Sequence, residues 1–358
     1  MNHRAAAVVG IALGACSGTQ PPKSVATETR CPIGHKSDAV VGNGSPYIWL
    51  DAQAGEGNVT RGLFLLDTGT ASTVVDRPFA SKLGVLPSSC SFDGKLSIAG
   101  SMQGSSFGVN GAAAGSCVGV AFKNATVPQN GILGIDWLVE NAYFIDLSIG
   151  SVVSWTSGEW EKCRSSLPSH LVLKIVPGPT SIQSDGANPA PACMFENNTF
   201  RKTKFLGCSI PYVQGRISSD ARVVDAPLQL DTGREKGLLG DISVNRYVRD
   251  ALVGKNAISN ERCIDAAHTG AACEIFLYDA RVGTTLDVGV GPISITSVEY
   301  RTSNKGEPYS NPAAAGEVGM SVLGRYQYVV IDPFDAEVLL LETPMTCTAP
   351  CTVQPPHS

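Results

Sequence analysis

The sequence predicts an all-β protein built as two lobes. Three observations point there: turn formers far outnumber aromatic residues, a strand-and-turn unit occurs twice, and a proline-rich stretch separates the copies. A chain of 358 residues is long enough for two domains, and 43% hydrophobic against 16% charged residues gives them a core. With 38 Gly and 22 Pro but only 11 Phe and 4 Trp, many turns and short strands are expected rather than a helical bundle. The net charge is −5 and no basic block occurs, so no nucleic-acid partner is expected.

The N-terminus reads as an address. Met1-Asn2-His3-Arg4 is a short basic start, and Ala5 to Leu13 is an apolar run too short to span a bilayer. Leu13-Gly14-Ala15-Cys16 then resembles the bacterial lipobox, whose Cys carries lipid and becomes the new N-terminus. Residues 1–16 are thus expected to be a lipoprotein signal peptide and 17–40 a tether. Ser17 after the Cys, where Asp would imply retention, suggests an exported lipoprotein on the outer membrane, facing the periplasm or the cell surface. Of the 11 Cys, removing Cys16 leaves ten, at 31, 90, 117, 163, 193, 208, 263, 273, 347 and 351. In an exported chain these imply disulfides. Cys90 with Cys117, Cys263 with Cys273 and Cys347 with Cys351 are sequence neighbours able to pair, though spacing admits other connectivities. Neither a Cys-x-x-Cys nor His at ligand spacing is present, so no metal and no cofactor are expected.

The repeat organises the remainder. Leu63-Phe64-Leu65-Leu66 ends in Asp67-Thr68-Gly69, and Pro227-Leu228-Gln229-Leu230 ends in Asp231-Thr232-Gly233. Downstream, Gly131-Ile132-Leu133-Gly134-Ile135-Asp136 leads to Tyr143-Phe144-Ile145-Asp146 in the first half. Met320-Ser321-Val322-Leu323-Gly324 leads to Val329-Val330-Ile331-Asp332 in the second. The interval from the first Asp to the closing Ile-Asp is 79 residues in one copy and 101 in the other, and the surplus is expected in Asn260–Cys273 or Thr302–Gly316. The lobes are expected at 41–165 and 201–345, joined by 166–200 with one strand in Leu171–Val176, and followed by a tail at 346–358. Helices are expected at Pro78–Leu83, Trp137–Glu140 and Ile242–Leu252, the last capped by Asp241.

Two Asp-Thr-Gly turns, each followed by a hydrophobic-hydrophobic-Gly segment and a closing Ile-Asp strand, resemble the two lobes of a pepsin-like aspartic protease. Single segments, notably Gly131 to Asp136, also resemble retropepsin-type proteases. The resemblance covers about residues 45–345 and implies an all-β, two-lobed acid-protease fold, each lobe a β-barrel-like unit, expected to be monomeric. It implies an aspartic endopeptidase acting on a peptide or protein, with Asp67 and Asp231 as the catalytic pair. The chemistry asks for such a pair. Without a metal or a Ser or Cys nucleophile, water itself must be activated, by one carboxylate as base while a second acts as acid toward the carbonyl oxygen. Two carboxylates in contact cannot both ionise, so they share a proton; pepsin is the standard illustration of that logic. Gly69 and Gly233 would let backbone approach the carboxylates. In the family, the hydroxyls at Thr68 and Thr232 bond across to the opposite lobe, and Ile132-Leu133-Gly134 and Val322-Leu323-Gly324 would be strands packed behind the loops.

Two departures from the family pattern stand out. The second turn continues Arg234-Glu235-Lys236 in place of small and hydroxyl-bearing residues. If Arg234 points inward it stabilises ionised carboxylates and lowers the pair's protonation range; otherwise it turns to solvent and pairs with Glu235. The stretch Leu96 to Phe107 stands where the family has a hairpin flap with a Tyr, but has none, leaving Met102 or Phe107 to fill its packing role. Both departures favour a rival reading, a catalytically silent lipoprotein that binds a peptide or inhibitor between the lobes. The intact Asp67 and Asp231 oppose it. Gly104-Ser105-Ser106-Phe107-Gly108 matches a Ser-hydrolase elbow formally, but a glycine-broken stretch follows instead of the helix that motif requires. Asp136, Asp146 and Asp332 read as structural, and Trp137, Trp155 and Trp160 as packing residues.

Overall fold

A computed structural model describes residues 32, 34–70, 73–86, 91–98, 101–109, 127–176, 211–220, 222–236, 240–264, 273, 275–301, 316–343 and 345. Strands dominate. The first half comprises β1 (His35–Gly42), β2 (Ser45–Ala54), β3 (Thr60–Leu66), β4 (Val74–Val75), α1 (Arg77–Lys82), β5 (Ser91–Ile98), β6 (Ser101–Val109), β7 (Gly131–Leu133), α2 (Ile135–Leu138), β8 (Ala142–Asp146), β9 (Ser151–Trp155) and α3 (Ser157–Arg164). After β10 (His170–Lys174), the second half follows as β11 (Tyr212–Ser219), β12 (Arg222–Leu230), β13 (Ile242–Val244), α4 (Arg246–Gly254), β14 (Ile258–Cys263), β15 (Ile275–Ala280), β16 (Thr285–Asp287), β17 (Pro292–Ser294), β18 (Ser297–Arg301), β19 (Gly316–Val318), α5 (Met320–Leu323), β20 (Tyr328–Asp332) and β21 (Glu337–Leu341). The architecture is all-β and two-lobed, as expected.

Each lobe is built on the same crossing. β3 runs to Asp67 and the chain returns as β4, yet β7 lies between them, parallel to β3 and antiparallel to β4. In the second sheet β19 lies between β12 and β13 in the same senses. The Asp-Thr-Gly turn therefore straddles the end of an inserted strand, which holds it from below. Asp67 N donates to Leu133 O at 3.1 Å and Asp231 N to Val318 O at 2.9 Å.

The second half's last strands leave its own sheet. β20 pairs with β8, and β21 with β10, so the twelve-stranded sheet contains strands of both halves. Along β8, β20 and β21 every residue is buried, because this part of the sheet is covered on both faces. Tyr143, Ile145, Val329, Ile331, Val338 and Leu340 enter the main core. Their neighbours Ala142, Phe144, Tyr328, Val330, Leu339 and Leu341 face Trp155, and Trp160 and Cys163 of α3. This period-2 alternation explains apolar runs that show no polar face in the sequence.

Several expectations are corrected. Ile242–Leu252 is not one helix: Ile242-Ser243-Val244 is buried between β18 and β19, and α4 starts after Asn245, whose side chain accepts from Val248 N at 3.0 Å. Asp241 caps nothing; its carboxylate accepts from Thr296 N, Thr296 Oγ1 and Ser297 N. Val322-Leu323-Gly324 is not a strand but the end of α5 and its cap. The counterpart of Ile132-Leu133-Gly134 is Glu317-Val318-Gly319, five residues earlier. β1 occupies the end of the expected 17–40 tether, pairing with β2 and β9. Part of the surplus in the second half is the β16–β17 hairpin between β15 and β18, where the first half has only residues 99 and 100 between β5 and β6. Helix α3, with its capping box at Thr156 and Glu159, was not expected. The strand expected in 171–176 is β10, and α1 and α2 lie within two residues of their expected positions.

Candidate active site

The two turns meet head to head. Thr68 Oγ1 donates to Leu230 O at 2.8 Å, and Thr232 Oγ1 donates to Leu66 O at 2.7 Å. Each hydroxyl also accepts from the opposite turn, Thr232 N to Thr68 Oγ1 at 3.0 Å and Thr68 N to Thr232 Oγ1 at 3.1 Å. Both Thr are buried, so four bonds in a dry setting tie the halves together. Gln229 Nε2 adds a fifth crossing bond, to Gly69 O at 3.0 Å.

This clasp sets the Asp67 carboxyl against that of Asp231. The glycines make that approach possible. A Cβ on Gly69 would lie 2.6 Å from Asp231 Cγ, and one on Gly233 would lie 2.5 Å from Asp67 Cγ, distances no side chain can adopt. Each glycine amide meanwhile donates to the Asp of its own turn, Gly69 N to Asp67 Oδ1 at 2.7 Å and Gly233 N to Asp231 Oδ1 at 2.8 Å.

The two carboxyls are not equivalent. Asp67 receives a bond on each oxygen, because Thr70 Oγ1 donates to Oδ2 at 2.7 Å. On Asp231 the backbone donors Gly233 N and Arg234 N both converge on Oδ1, and Arg234 has no hydroxyl to offer Oδ2. Burial, then the charge of Asp67, then that of Glu317 push the Asp231 carboxyl well above the usual carboxylate range; Arg234 opposes them. Asp231 is thus the carboxyl on which burial and neighbouring charge favour a proton.

Arg234 follows the first expected course in part, since its charge favours the ionised form of Asp231. It is buried, yet its guanidinium turns from the pair into the second lobe, with Nη2 2.6 Å from Glu299 Oε2 and 3.1 Å from Gly240 O. Glu235 does not pair with it. The Glu235 carboxylate accepts from Tyr47 Oη at 2.7 Å and Asn43 Nδ2 at 3.0 Å, and Lys236 N donates to Asn43 O at 2.6 Å. Asn43 and Gly44, at φ 46° and 85°, form the two-residue β1–β2 turn that such positive angles favour, and this turn docks on the residues after the second Asp. The unusual Arg-Glu-Lys thus binds one lobe to the other. Burial and Glu235 raise the Tyr47 hydroxyl's pKa, so it remains a donor.

Asp136 accepts from Thr73 N and Thr73 Oγ1, bracing the far side of the first turn, and Asp146 accepts from Ser148. Asp332 pairs with Arg164. All three serve the framework. Trp137 packs on Tyr143 and Trp155 on Trp160, ring centroids 5.7 Å apart in each case. β5 and β6 form the hairpin in the flap position, with Ile98 opposite Ser101. Ser106 lies on β6, in extended backbone rather than at an elbow. The side chains of Met102 and Phe107 lie outside the described residues, as do Cys16, Cys90, Cys117, Cys347 and Cys351. Cys263 and Cys273 are joined by a disulfide, and Cys163 is also disulfide-bonded. Among the described residues no group of His, Cys, Asp and Glu is arranged to hold a metal ion, and no helix is long and apolar enough to cross a membrane.

No protein family's sequence profile matches the chain, and no curated protein matches it. Among solved structures, it is similar to an aspartic proteinase from Irpex lacteus at 12% identity and a TM-score of 0.42, over 87% of this chain and 98% of that one.

Proposed function

We propose that the protein is an aspartic endopeptidase whose catalytic pair is Asp67 and Asp231. The observation that carries this reading is the contact of the two carboxyls inside a symmetric clasp, one turn from each half, with no room for a side chain at Gly69 or Gly233. A framework role explains neither the contact nor the cost of holding two carboxyls together. In the reaction Asp67 takes a proton from water as the water oxygen attacks the scissile carbonyl carbon, and Asp231 gives its proton to the carbonyl oxygen. The resulting diol collapses as Asp67 passes that proton to the amide nitrogen, Asp231 takes a proton from a diol hydroxyl, the carbonyl reforms and the C–N bond breaks, which restores the starting pair. Export through residues 1–16, a lipid on Cys16 and a peptide or protein substrate complete the reading. The silent binding module is less well supported, since the Arg234 guanidinium is engaged by Glu299 and Gly240 O in the second lobe.

The test is cleavage of a peptide library from about pH 3 to about pH 7, where one proton stays on such a pair. Wild type should cleave and be blocked by a statine-type mimic of the diol. Asp67→Asn and Asp231→Asn should each abolish cleavage and keep the fold, because Asn can act neither as base nor as acid. A folded wild type that cleaves nothing would support the binding module instead, and cleavage surviving in Asp231→Asn would remove the pair from the mechanism.

A further inference from the structure

Arg234 occupies after the second turn the place Thr70 occupies after the first, and Glu317 on β19 stands where Ile132 stands on β7. A cation and an anion, both buried, replace a hydroxyl and an alkyl group beside one carboxyl of the pair. They are held in place. A Cβ on Gly319 would lie 2.5 Å from Arg234 Cβ, and Met320 N donates to Arg234 O at 3.0 Å. The guanidinium binds Glu299, fully buried on β18, and its Nη1 lies 3.6 Å from Glu317 Oε2. One positive charge is thus divided between two carboxylates. Glu317 is the one beside the pair, since its strand neighbour Val318 supplies the carbonyl that receives Asp231 N.

We propose that Glu317, anchored by Arg234, is the charge outside the pair that moves the pH range of Asp67 and Asp231 upward. This rests on the endopeptidase reading for its consequence in activity. Among the described residues, the charged and titratable groups around Asp231 are Asp67 from the first turn, Arg234 beside it, Glu317 from β19, and Glu299 from β18 through its bond to Arg234. Tyr47 from β2 and Glu235 lie beyond, bound to each other. Within this set Glu317 favours the protonated pair and Arg234 the ionised one. Glu317 is a positioning residue: it acts through Asp231.

Glu317→Gln keeps an acceptor for Arg234 and removes the charge. Its kcat/KM profile should keep its shape while the alkaline limb moves toward acid by about one pH unit, the scale of a single neighbouring charge. Glu317→Ile, the residue of the first lobe, should do the same and serves if the Gln variant folds poorly. A uniform loss of activity with the limb unmoved would show a merely structural residue and overturn the proposal. A second readout does not depend on cleavage. In protein labelled at the Asp carboxyl carbons, the Asp231 resonance, identified by its loss in Asp231→Asn, should titrate at lower pH in Glu317→Gln. That shift in a protein that cleaves nothing keeps the charge coupling and discards the protease. An unmoved titration in an active protease does the reverse.

Discussion

Asp231 illustrates how a group of the proposed catalytic pair works against the fold that contains it. Its carboxyl keeps a proton where a free one is ionised, so the folded state binds more protons than the unfolded state above the ordinary carboxylate range. Stability falls as pH rises through that window. Below the unfolded carboxylate pKa, about 3.8, the group is neutral in both states and costs nothing. Asp231→Asn should therefore raise Tm at neutral pH by a few degrees and bring little gain below about pH 4, as thermal melts across pH would read. Thr232 has the opposite character. Its hydroxyl donates to Leu66 O and accepts from Thr68 N, and all of these groups are buried. Thr232→Val leaves both backbone partners dry and unpaired, and should cost about 2–4 kcal/mol in urea unfolding. Thr68→Val should cost a similar amount, and the double variant less than the sum, because the four bonds form one network.

Among the elements, those with purely local causes were legible. α1 is announced by Asp76, which caps Phe79 N, and by Pro78 in its first turn. The Asp-Thr-Gly turns and Gly131-Ile132-Leu133 stood out because turn residues and apolar residues alternate at short range. β19 did not, since Glu317 interrupts its apolar pattern while Val322-Leu323-Gly324 further on keeps one. The interruption has a physical origin. Glu317 is tolerated on a buried strand with the help of Arg234 lying against it, a contact between residues far apart in sequence. Ile242 to Val244 was misread for a related reason, because a short apolar run next to a helix is a strand only when partners such as β18 and β19 arrive. α3 carries a local signature, the capping box of Thr156 and Glu159. The Glu159 carboxylate accepts from Thr156 N at 2.9 Å and Thr156 Oγ1 at 2.8 Å, and these bonds hold its pKa below the usual value. Its contribution is present above the unfolded carboxylate range and is lost as pH falls through the folded value. Glu159→Ala should cost roughly 0.5–1 kcal/mol near neutrality, and the deficit should fade in acid, measured by denaturation at both pH values.

At the scale of the whole chain the two halves resemble each other yet neither is self-sufficient. β8 presents one edge to β9 and the other to β20, which belongs to the second half. β10 is in turn an edge strand whose partner is β21. Without β20 and β21, Phe144 loses Tyr328, on which it stacks at 5.9 Å, and the sheet loses the residues that Trp155 and Trp160 pack on. Arg164 of α3 loses Asp332, Asp335 and Glu337, the last nearly fully buried. The Thr68–Thr232 clasp and the Tyr47–Glu235 bond would go with them. An exposed β8 edge flanked by large apolar side chains is a template for pairing with another chain. Opening the backbone between residues 177 and 210 keeps every named strand whole, so it separates the contributions of chain connectivity and of strand pairing. Residues 32–176 produced alone should aggregate or form dimers, because nothing covers the β8 edge. The same fragment produced together with residues 211–345 should co-elute with it under reducing conditions and regain the far-UV spectrum of the intact protein. A stable monomer of 32–176 on size exclusion would mean that the shared sheet contributes little to the first lobe. The clasp and the Gln229, Glu235 and Lys236 bonds would then have to align the two carboxyls, and hydrogen bonds worth about 1 kcal/mol each are a weak hinge on which to hold a buried pair.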